Sequence, residues 1–261
     1  MKVSIVTVCR NSLGTLPDAL ESVSRQVLPH GVEVEHIVID GASTDGTREF
    51  LAEYAKTHPV KFVSEPDRGL YDAMNKGILA STGDVVGILN SDDVLAADDV
   101  VARIAEAFDD SIDIVYGDVR FARGVALSGV DAMRGAPTSR YCSGRQFRKW
   151  MFRFGVFPAH PSTFVRRVAF ERFGLYSLDY SICADFEMML RLFVKHSLKA
   201  KYVGVCTTAM RAGGVSTKGI RANLEINRQD ARALKAHGIF SCLPLIYLKY
   251  FGKVFGYVRR K

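Results

Sequence analysis

Short β-branched runs alternate with amphipathic segments through the first 116 residues, and this alternation constrains the fold more than any other feature. The first run, residues 3–8, has the composition of a strand buried on both faces of a parallel sheet. Leu16, Leu20 and Val23 then recur at helical spacing, and Thr15 is predicted to cap that helix. Further strands are predicted at 34–40, 61–64, 85–89 and 112–116. The pattern predicts an α/β fold with a single, mostly parallel, doubly wound sheet flanked by helices.

The second half of the chain is less regular, although Phe186, Met189 and Phe193 mark a further helix. No repeat, low-complexity tract or linker divides the chain. We therefore predict one domain over residues 1–238, followed by a C-terminal tail over residues 239–261.

The tail has the pattern of a basic amphipathic helix. Leu248, Phe251, Phe255 and Val258 share one helical face, and the chain closes on three cations at 259–261. A helix of this kind lies on an anionic membrane surface. The alternative is a helix packed on the preceding domain or on a second subunit.

The formal net charge of +7 favours anionic partners, namely nucleic acids, acidic membranes or phosphorylated small molecules. An arginine-rich arm, an RNA-binding aromatic signature and zinc-finger spacing are all missing, so nucleic acid is not predicted. Five cysteines without a C-x-x-C pair indicate a reducing compartment. The chain starts directly with a strand pattern, and no run approaches the roughly 20 apolar residues of a membrane span. The sequence predicts a cytoplasmic protein, with the tail at the inner face of the plasma membrane.

Polar and acidic residues follow each predicted strand. Ligands of open parallel sheets bind beyond the carboxyl ends of the strands, so these residues are the first candidates for a site. Several carboxylates on one edge would repel one another unless a cation or a basic ligand group lay among them. The strand ends carry Thr7, Arg10, Asn11, Asp40, Asp45, Glu65, Asp67, Arg68, Asn90, Ser91, Asp92, Asp93 and Asp118.

Asp92 and Asp93 form the sharpest candidate on this edge. Adjacent carboxylates after a buried strand are hard oxygen ligands suited to Mg²⁺ or Mn²⁺, although one of them could instead cap the next helix. No Gly-x-Gly-x-x-Gly and no P-loop motif follows the first strand. A bound diphosphate would therefore be held by the metal, Arg68 and Lys76 rather than by a glycine-rich loop.

Five segments, in order, resemble one family. They are SIVTVCRN (4–11), IVIDGASTDGT (37–47), EPDRGLYDAMNKG (65–77), GDVVGILNSDD (83–93) and ADFEMMLRL (184–192), with AHPSTF (159–164) and GGVSTKG (213–219) as further matches. The set is similar to the family-2 glycosyltransferases with the GT-A fold, and within them to the bacterial branch that builds exopolysaccharide, capsule and O-antigen repeats. The resemblance implies that residues 1–238 are a catalytic domain using a nucleotide-sugar donor and Mg²⁺ or Mn²⁺.

The resemblance also implies residue roles. Thr7, Val8 and Arg10 would line the nucleoside pocket, Asp40 would bind the edge of the base, and Asp45 would help to shape that loop. Donor contacts would further come from Arg68, Asn75, Lys76 and Asp92, metal contacts from Asp92 and Asp93, and acceptor contacts from His160. Asn90 stands where the family often has an acid, and Ala184 where it often has Glu.

Asp185 matches the general base of that family. An acceptor hydroxyl has a very high pKa, so it needs a base as it attacks, and attack opposite the leaving group predicts inversion at the anomeric carbon. The residues alone favour Asp185 as a helix N-cap, with Glu187 and Arg191 as an exposed pair on the same helix, and it is the resemblance that favours the base. His160, which precedes a proline, could equally be a hydrogen-bonded structural residue.

These observations predict an inverting, metal-dependent glycosyltransferase that moves a sugar onto a lipid-linked glycan acceptor in bacterial surface polysaccharide synthesis. The first alternative is a sugar nucleotidyltransferase, although CRNSLGT is a poor match to the basic glycine-rich loop of those enzymes. The second is an inactive nucleotide-sugar-binding module, against which the intact aspartates argue.

Overall fold

The computed structural model describes residues 1–124, 128–211 and 219–258, with side chains described except at 219–221 and 251–258. These residues form one mixed sheet of nine strands. The strands are β1 (Lys2–Cys9), β2 (Glu33–Asp40), β3 (Val60–Ser64), β4 (Val85–Asn90), β5 (Val94–Leu95), β6 (Ile114–Ala122), β7 (Thr138–Cys142), β8 (Thr163–Arg166) and β9 (Ala200–Arg211).

The strand order is β3-β2-β1-β4-β8-β6-β9-β5, with β7 paired to β6. The pairs β1–β2, β1–β4 and β2–β3 are parallel. Strand β8 is antiparallel to both β4 and β6, so β4 and β6 point the same way, and β9 is parallel to β6. Six strands thus share one direction, and the predicted α/β fold with a mostly parallel sheet is confirmed.

Helices cover both faces of the sheet. They are α1 (Leu16–Ser24), α2 (Thr47–Tyr54), α3 (Leu70–Ala80), α4 (Val100–Ala107), α5 (Val130–Gly135), α6 (Arg167–Phe173), α7 (Ala184–Leu190), α8 (Gly219–Ala236) and α9 (Leu243–Val258). A π-helical turn, Arg191–Lys195, continues α7, and a 3₁₀ turn, Lys149–Phe154, precedes β8.

The alternation of side chains along β1 divides the core in two. Val3 and Ile5 pack with α1 and α4 on one face, whereas Val6 and Val8 pack with α3 and α7 on the other. This period of two is the geometry of an extended strand, and burial on both faces explains why the run is apolar throughout. At Gly77 a Cβ would lie 2.1 Å from Cγ1 of Val6, so the close packing of α3 on β1 requires glycine.

The structure corrects three local expectations. Strand β6 continues to Ala122, so Asp118 lies inside it and is buried, where it accepts hydrogen bonds from the hydroxyls of Tyr141 and Tyr202. Thr15 occupies the N-cap position of α1 but makes no side-chain capping bond. The Glu187–Arg191 pair forms as expected but is buried, because α7 is covered on all sides.

The described part of the tail packs on the domain. Ile246 of α9 is fully buried in the main core, and the ammonium of Lys249 forms a buried ion pair with Asp230, at 2.8 Å. The side chains of Phe251, Phe255 and Val258 and the cations at 259–261 lie outside the described residues. None of the helices in the described ranges combines the length and the apolarity needed to cross a bilayer.

Candidate active site at the carboxyl edge of the sheet

The loops that follow β1 and β2 are joined by hydrogen bonds. The backbone N–H of Asn11 donates to the hydroxyl of Ser43, at 2.7 Å, and the side-chain oxygen of Asn11 accepts from the N–H of Thr44, at 2.8 Å. Asp45 accepts from the N–H of Leu13 and from the hydroxyl of Thr47. Asp45 therefore shapes this pair of loops, as the sequence predicts.

Asp40 is the anchor of the same loops. Its side chain is fully buried, and it accepts hydrogen bonds from the hydroxyl of Ser64, at 2.6 Å, and from both the N–H and the hydroxyl of Ser43. The contacts in this structure hold the loop after β2 against β3. Contact between Asp40 and a nucleobase stays a prediction.

The three candidates on β1 differ in exposure. Thr7 and Val8 are buried within the strand, and the hydroxyl of Thr7 lies 2.9 Å from Nε2 of His36 on β2. Arg10, directly after the strand, is exposed. Of these three, Arg10 is the side chain that presents charge at the open edge.

Cations gather where β3 leads into α3. Arg68 is 77% exposed and pairs with Asp72 at 3.1 Å. Lys76 pairs with Glu65 at 2.7 Å and donates to the carbonyl of Pro66. These bonds hold both cations near the sheet edge.

Asn75, also predicted to lie near the donor, has its side-chain amide fixed by backbone. Its Nδ2 donates to the carbonyl of Tyr176, and its Oδ1 accepts from the N–H of Tyr176, both at 2.9 Å. Asn75 therefore clamps the segment before α7 onto α3. A contact between Asn75 and a donor stays a prediction.

Asp92 and Asp93 follow β4 and differ from each other. Asp93 is buried, and its carboxylate accepts from Nδ2 of Asn90, at 2.9 Å, and from the N–H of Arg211, at 3.3 Å. Burial, reinforced by the neighbouring charge of Asp92, raises the pKa of Asp93 to about 8. Asp92 is half-buried, and no other residue in the described ranges donates a hydrogen bond to its carboxylate. Asn90, the departure from the family pattern, thus holds Asp93.

Asp185 lies in the first turn of α7, whose N-cap is Cys183, so the N-cap alternative for Asp185 is wrong. The hydroxyl of Tyr71 lies 3.1 Å from Oδ1 of Asp185 and also contacts the carbonyl of Ile182. Burial raises the pKa of Asp185 to about 6, against the opposing effect of hydrogen bonds from the N–H of Phe186 and from Tyr71. A carboxylate with this pKa is ionised at neutral pH and basic enough to take a proton.

An open cavity of about 1130 Å³ adjoins Asp185. Its walls come from β6, β7, the 3₁₀ turn, α7, α8 and α9, and they are largely apolar. The lining side chains include Trp150, Met151, Phe154, Phe157, Met210 and Leu248, and the polar ones include Asp185, His160, Arg140 and Gln146.

His160 lines this cavity and is also hydrogen-bonded inside the protein. Its Nε2 lies 2.6 Å from the hydroxyl of Tyr176, and burial lowers its pKa to about 4, so the ring is neutral at physiological pH. The ring of Tyr176 stacks on Tyr71, which contacts Asp185. His160 is thus connected to the base through two tyrosines, and its contact with an acceptor stays a prediction.

Gln229 and His237, which the sequence patterns do not reveal, fix the helix carrying Asp185. Oε1 of Gln229 accepts from the N–H groups of Ile182 and Cys183, just before α7. On the far side of α7, Glu187 pairs with Arg191 at 3.1 Å and with His237 at 2.8 Å. Gln229 belongs to α8, and His237 follows the C-terminal end of α8. No local sequence pattern pairs either residue with α7.

The two acidic centres share one edge of the sheet. Asp92 and Asp93 follow β4 directly, and Tyr71, at the start of α3 after β3, holds Asp185 there. The N–H that binds Asp93 belongs to Arg211, and the preceding Met210 lines the cavity beside Asp185. Such an edge is where open α/β sheets bind their ligands.

The sequence profile described as Glycosyl transferase family 2 matches residues 4–174, two thirds of the chain and the whole carboxyl edge of β1 to β4. The chain belongs to this family. This family-2 glycosyltransferase is 29% identical over 218 residues to a PGL/p-HBAD biosynthesis glycosyltransferase of Mycobacterium bovis, covering 82% of this chain and 78% of that protein. It is 35% identical over 195 residues to an uncharacterized glycosyltransferase of Mycobacterium tuberculosis, covering 72% and 68%.

Solved structures share the fold of this family-2 glycosyltransferase. Staphylococcus aureus TarS 1-349 in complex with UDP-GlcNAc superposes with a TM-score of 0.64 at 16% identity, covering 90% of this chain and 66% of that one. The mannosyltransferase PcManGT from Pyrobaculum calidifontis, in complex with GDP-Man and Mn²⁺, superposes with a TM-score of 0.58 at 17% identity, covering 97% and 79%. The GT-A fold is thereby confirmed. The chain covers 66% of the TarS 1-349 chain and 40% of the longer TarS chain.

Proposed function

We propose that this enzyme transfers a sugar from a nucleotide-sugar donor to a hydroxyl of a glycan acceptor, with inversion, in bacterial surface polysaccharide synthesis. The observation that carries the proposal is Asp185, a carboxylate with a pKa near 6 in the wall of a large cavity at the ligand-binding edge of the sheet. The structurally similar proteins that were solved in complex with UDP-GlcNAc and with GDP-Man support a nucleotide sugar as the donor.

Asp185 is proposed to take the proton of the attacking hydroxyl. Tyr71 and the N–H of Phe186 orient its carboxylate, which lies in the wall of the largely apolar cavity. A positioned general base of this kind accelerates a reaction by about 10²–10⁴-fold. Attack from the Asp185 side, opposite the leaving nucleoside diphosphate, inverts the anomeric carbon.

The aspartates after β4 fit a divalent cation. Within the described ranges, no three His, Cys, Asp or Glu side chains could hold a metal by themselves, but Mg²⁺ and Mn²⁺ sites of this type use only one or two carboxylates, with water and phosphates completing the shell. Asp92, half-buried and without a competing donor, would hold the ion, and Asp93 would lie behind it. A divalent ion neutralises negative charge on a departing diphosphate. Arg68 and Lys76 supply further positive charge at this edge.

The proposed acceptor is a lipid-linked glycan, and the proposed location is the cytoplasmic face of the plasma membrane, with the tail 239–261 as a membrane or subunit contact. The apolar cavity walls and the net charge of +7 support this acceptor class. No nucleic-acid partner is proposed.

The direct test screens UDP-, GDP- and dTDP-sugars for Mn²⁺-dependent binding by calorimetry, and then for transfer to a lipid-linked acceptor with the anomer of the product determined by NMR. Retention of configuration would refute the role of Asp185. Release of pyrophosphate from a nucleoside triphosphate and a sugar phosphate would support the nucleotidyltransferase alternative. Binding without any transfer or hydrolysis would support an inactive binding module.

A further inference from the structure

An acid-free stretch of the chain surrounds the mouth of the cavity. Between Asp131 and Glu171 the sequence carries eight Lys and Arg residues and no Asp or Glu. Three of these cations are engaged in the body of the domain: Arg134 pairs with Asp98, Arg167 pairs with Glu171, and Arg166 donates to backbone carbonyls. The other five lie on or beside the 3₁₀ turn and β7, where Arg140 lines the cavity and Arg145, Arg148, Lys149 and Arg153 are neighbours in sequence of residues that line it.

Arg145, Arg148 and Arg153 are exposed, and none of them forms a salt bridge with any residue in the described ranges. Trp150 lies among them with 59% of its surface exposed, although its edge contacts Phe154. A large exposed aromatic side chain among unpaired cations is the composition of a surface that binds the interface of an anionic bilayer.

The segment before and within α9 extends this surface with apolar side chains. The hydroxyl of Ser241 donates to the carbonyl of Arg153, at 2.5 Å, which holds the segment against the 3₁₀ turn. Phe240 is 74% exposed, and Leu243 and Leu248 are also exposed. Leu248 and Trp150 both line the cavity, so the surface adjoins it.

We propose that this mouth surface, comprising Arg145, Arg148, Trp150, Arg153, Phe240, Leu243 and Leu248, docks the enzyme onto an anionic lipid bilayer with the cavity opening toward the lipid. Each cation near an anionic membrane strengthens binding about fivefold, and Trp150 and Phe240 would enter the headgroup layer. The docking surface is distinct from the tail cations at 259–261, and it does not depend on the transfer reaction.

Two other occupants fit the surface less well. A second copy of the chain, related by a two-fold axis, would bring the same three arginines of each copy toward one another, and like charges repel. A nucleic acid would use the arginines but would leave Phe240, Leu243 and Leu248 uncovered.

Trp150 is the single tryptophan of the chain, so its fluorescence reports directly on this surface. Full-length protein is mixed with vesicles of phosphatidylcholine alone or with phosphatidylglycerol added, without donor or acceptor. The expected result is a shift of Trp150 emission to shorter wavelength, with cosedimentation, on the anionic vesicles only. An unshifted emission on anionic vesicles would overturn the proposal, even if transfer activity is intact.

Three full-length variants, each lacking three positive charges, locate the contact. Arg145→Gln/Arg148→Gln/Arg153→Gln is expected to weaken binding to anionic vesicles about 100-fold. Arg48→Gln/Lys56→Gln/Arg103→Gln, on the α2 and α4 side, is the matched control and is expected to retain most of the affinity. If Arg259→Gln/Arg260→Gln/Lys261→Gln abolishes the emission shift while the first variant keeps it, the tail binds the membrane and the mouth surface does not. Concentration-dependent self-association in place of vesicle binding, measured by analytical ultracentrifugation, would also refute the proposal.

Discussion

The donor side and the acceptor side of the site are built differently. On the donor side, the loops after β1, β2 and β4 come from one regular half of the chain and are joined by short polar bonds such as Asn11 to Ser43 and Ser12 to Ser91. On the proposed acceptor side, the cavity is assembled from β6, β7, α7, α8 and α9, whose lining residues run from Val119 to Lys249, and it is mainly apolar. The loops after β1, β2 and β4 present polar and charged groups, whereas the second region presents a mainly apolar cavity.

Asp185, the proposed base, lies where these two regions meet. Asp185 belongs to α7, on the acceptor side, but the hydroxyl that contacts it belongs to Tyr71 of α3, on the donor side. We therefore expect substitutions in the loops after β1 to β4 to weaken donor binding, and substitution of Asp185 to slow catalysis.

The largest expected effect is that of Asp185→Asn. Transfer should fall by about 10²–10⁴-fold because the general base is lost, while the affinity for nucleotide, bound on the donor side, should change little. Single-turnover transfer and calorimetry of UDP or GDP binding provide the two measurements. Transfer at the parent rate would show that Asp185 is not the base.

Asp92→Ala should have the next largest effect, confined to the donor side. Mn²⁺-dependent nucleotide binding is expected to weaken by at least about tenfold, as for loss of a metal contact, with the melting temperature unchanged. EDTA should reduce binding by the parent to the same extent.

Asp93→Ala is to be compared with Asp92→Ala in both metal-dependent binding and stability. We expect weaker metal-dependent binding together with a loss of stability of about 1–3 kcal/mol, because the N–H of Arg211 and the amide of Asn90 lose their buried acceptor. Equal melting temperatures of the two variants would contradict the structural difference between the two carboxylates.

Tyr71→Phe tests the contact between Tyr71 and Asp185 through the pH dependence of kcat/KM. Asp185 must be ionised to act, so kcat/KM of the parent should rise with pH through about 6 and level off above it. The hydrogen bond from Tyr71 favours the ionised form, so its removal should move this limb to higher pH, by no more than about one unit. Tyr54→Phe on α2 is the control, and an unshifted limb in Tyr71→Phe would indicate a purely structural role.

Arg68→Ala should have the smallest effect. Its pair with Asp72 is exposed, so the melting temperature should barely change, while donor affinity is expected to fall about fivefold through loss of one cation near the diphosphate. Lys56→Ala breaks the exposed pair with Glu53 and should change neither quantity. Equal donor affinity in both variants would remove Arg68 from the donor site.

Sequence periodicity predicted the donor side well and the acceptor side poorly. Strands β1 to β4 lie within one or two residues of their predicted bounds, since they pair with one another within the first 90 residues of the chain. Asp118 was misplaced because β6 continues past Tyr116 to pair with β7 and β9, and such pairing with distant strands leaves no mark on local periodicity. Glu187 and Arg191 were expected to be exposed because their spacing is that of a surface pair, and only the packing of α7 reveals their burial.

The sequence by itself determined the α/β class, the order of the first strands and the aspartates at their ends, because hydrophobic period and strand-end polarity are local properties of the chain. Only the tertiary structure decided which carboxylates are free to react. Asp40, Asp93 and Asp118 each accept a hydrogen bond from a residue distant in sequence, namely Ser64, Arg211 and Tyr141, whereas no other residue of the described ranges donates to the carboxylate of Asp92, and Asp185 lines a cavity. The reactivity of a carboxylate depends on its burial and on its hydrogen-bond donors, and both are set by residues that meet only after the chain has folded.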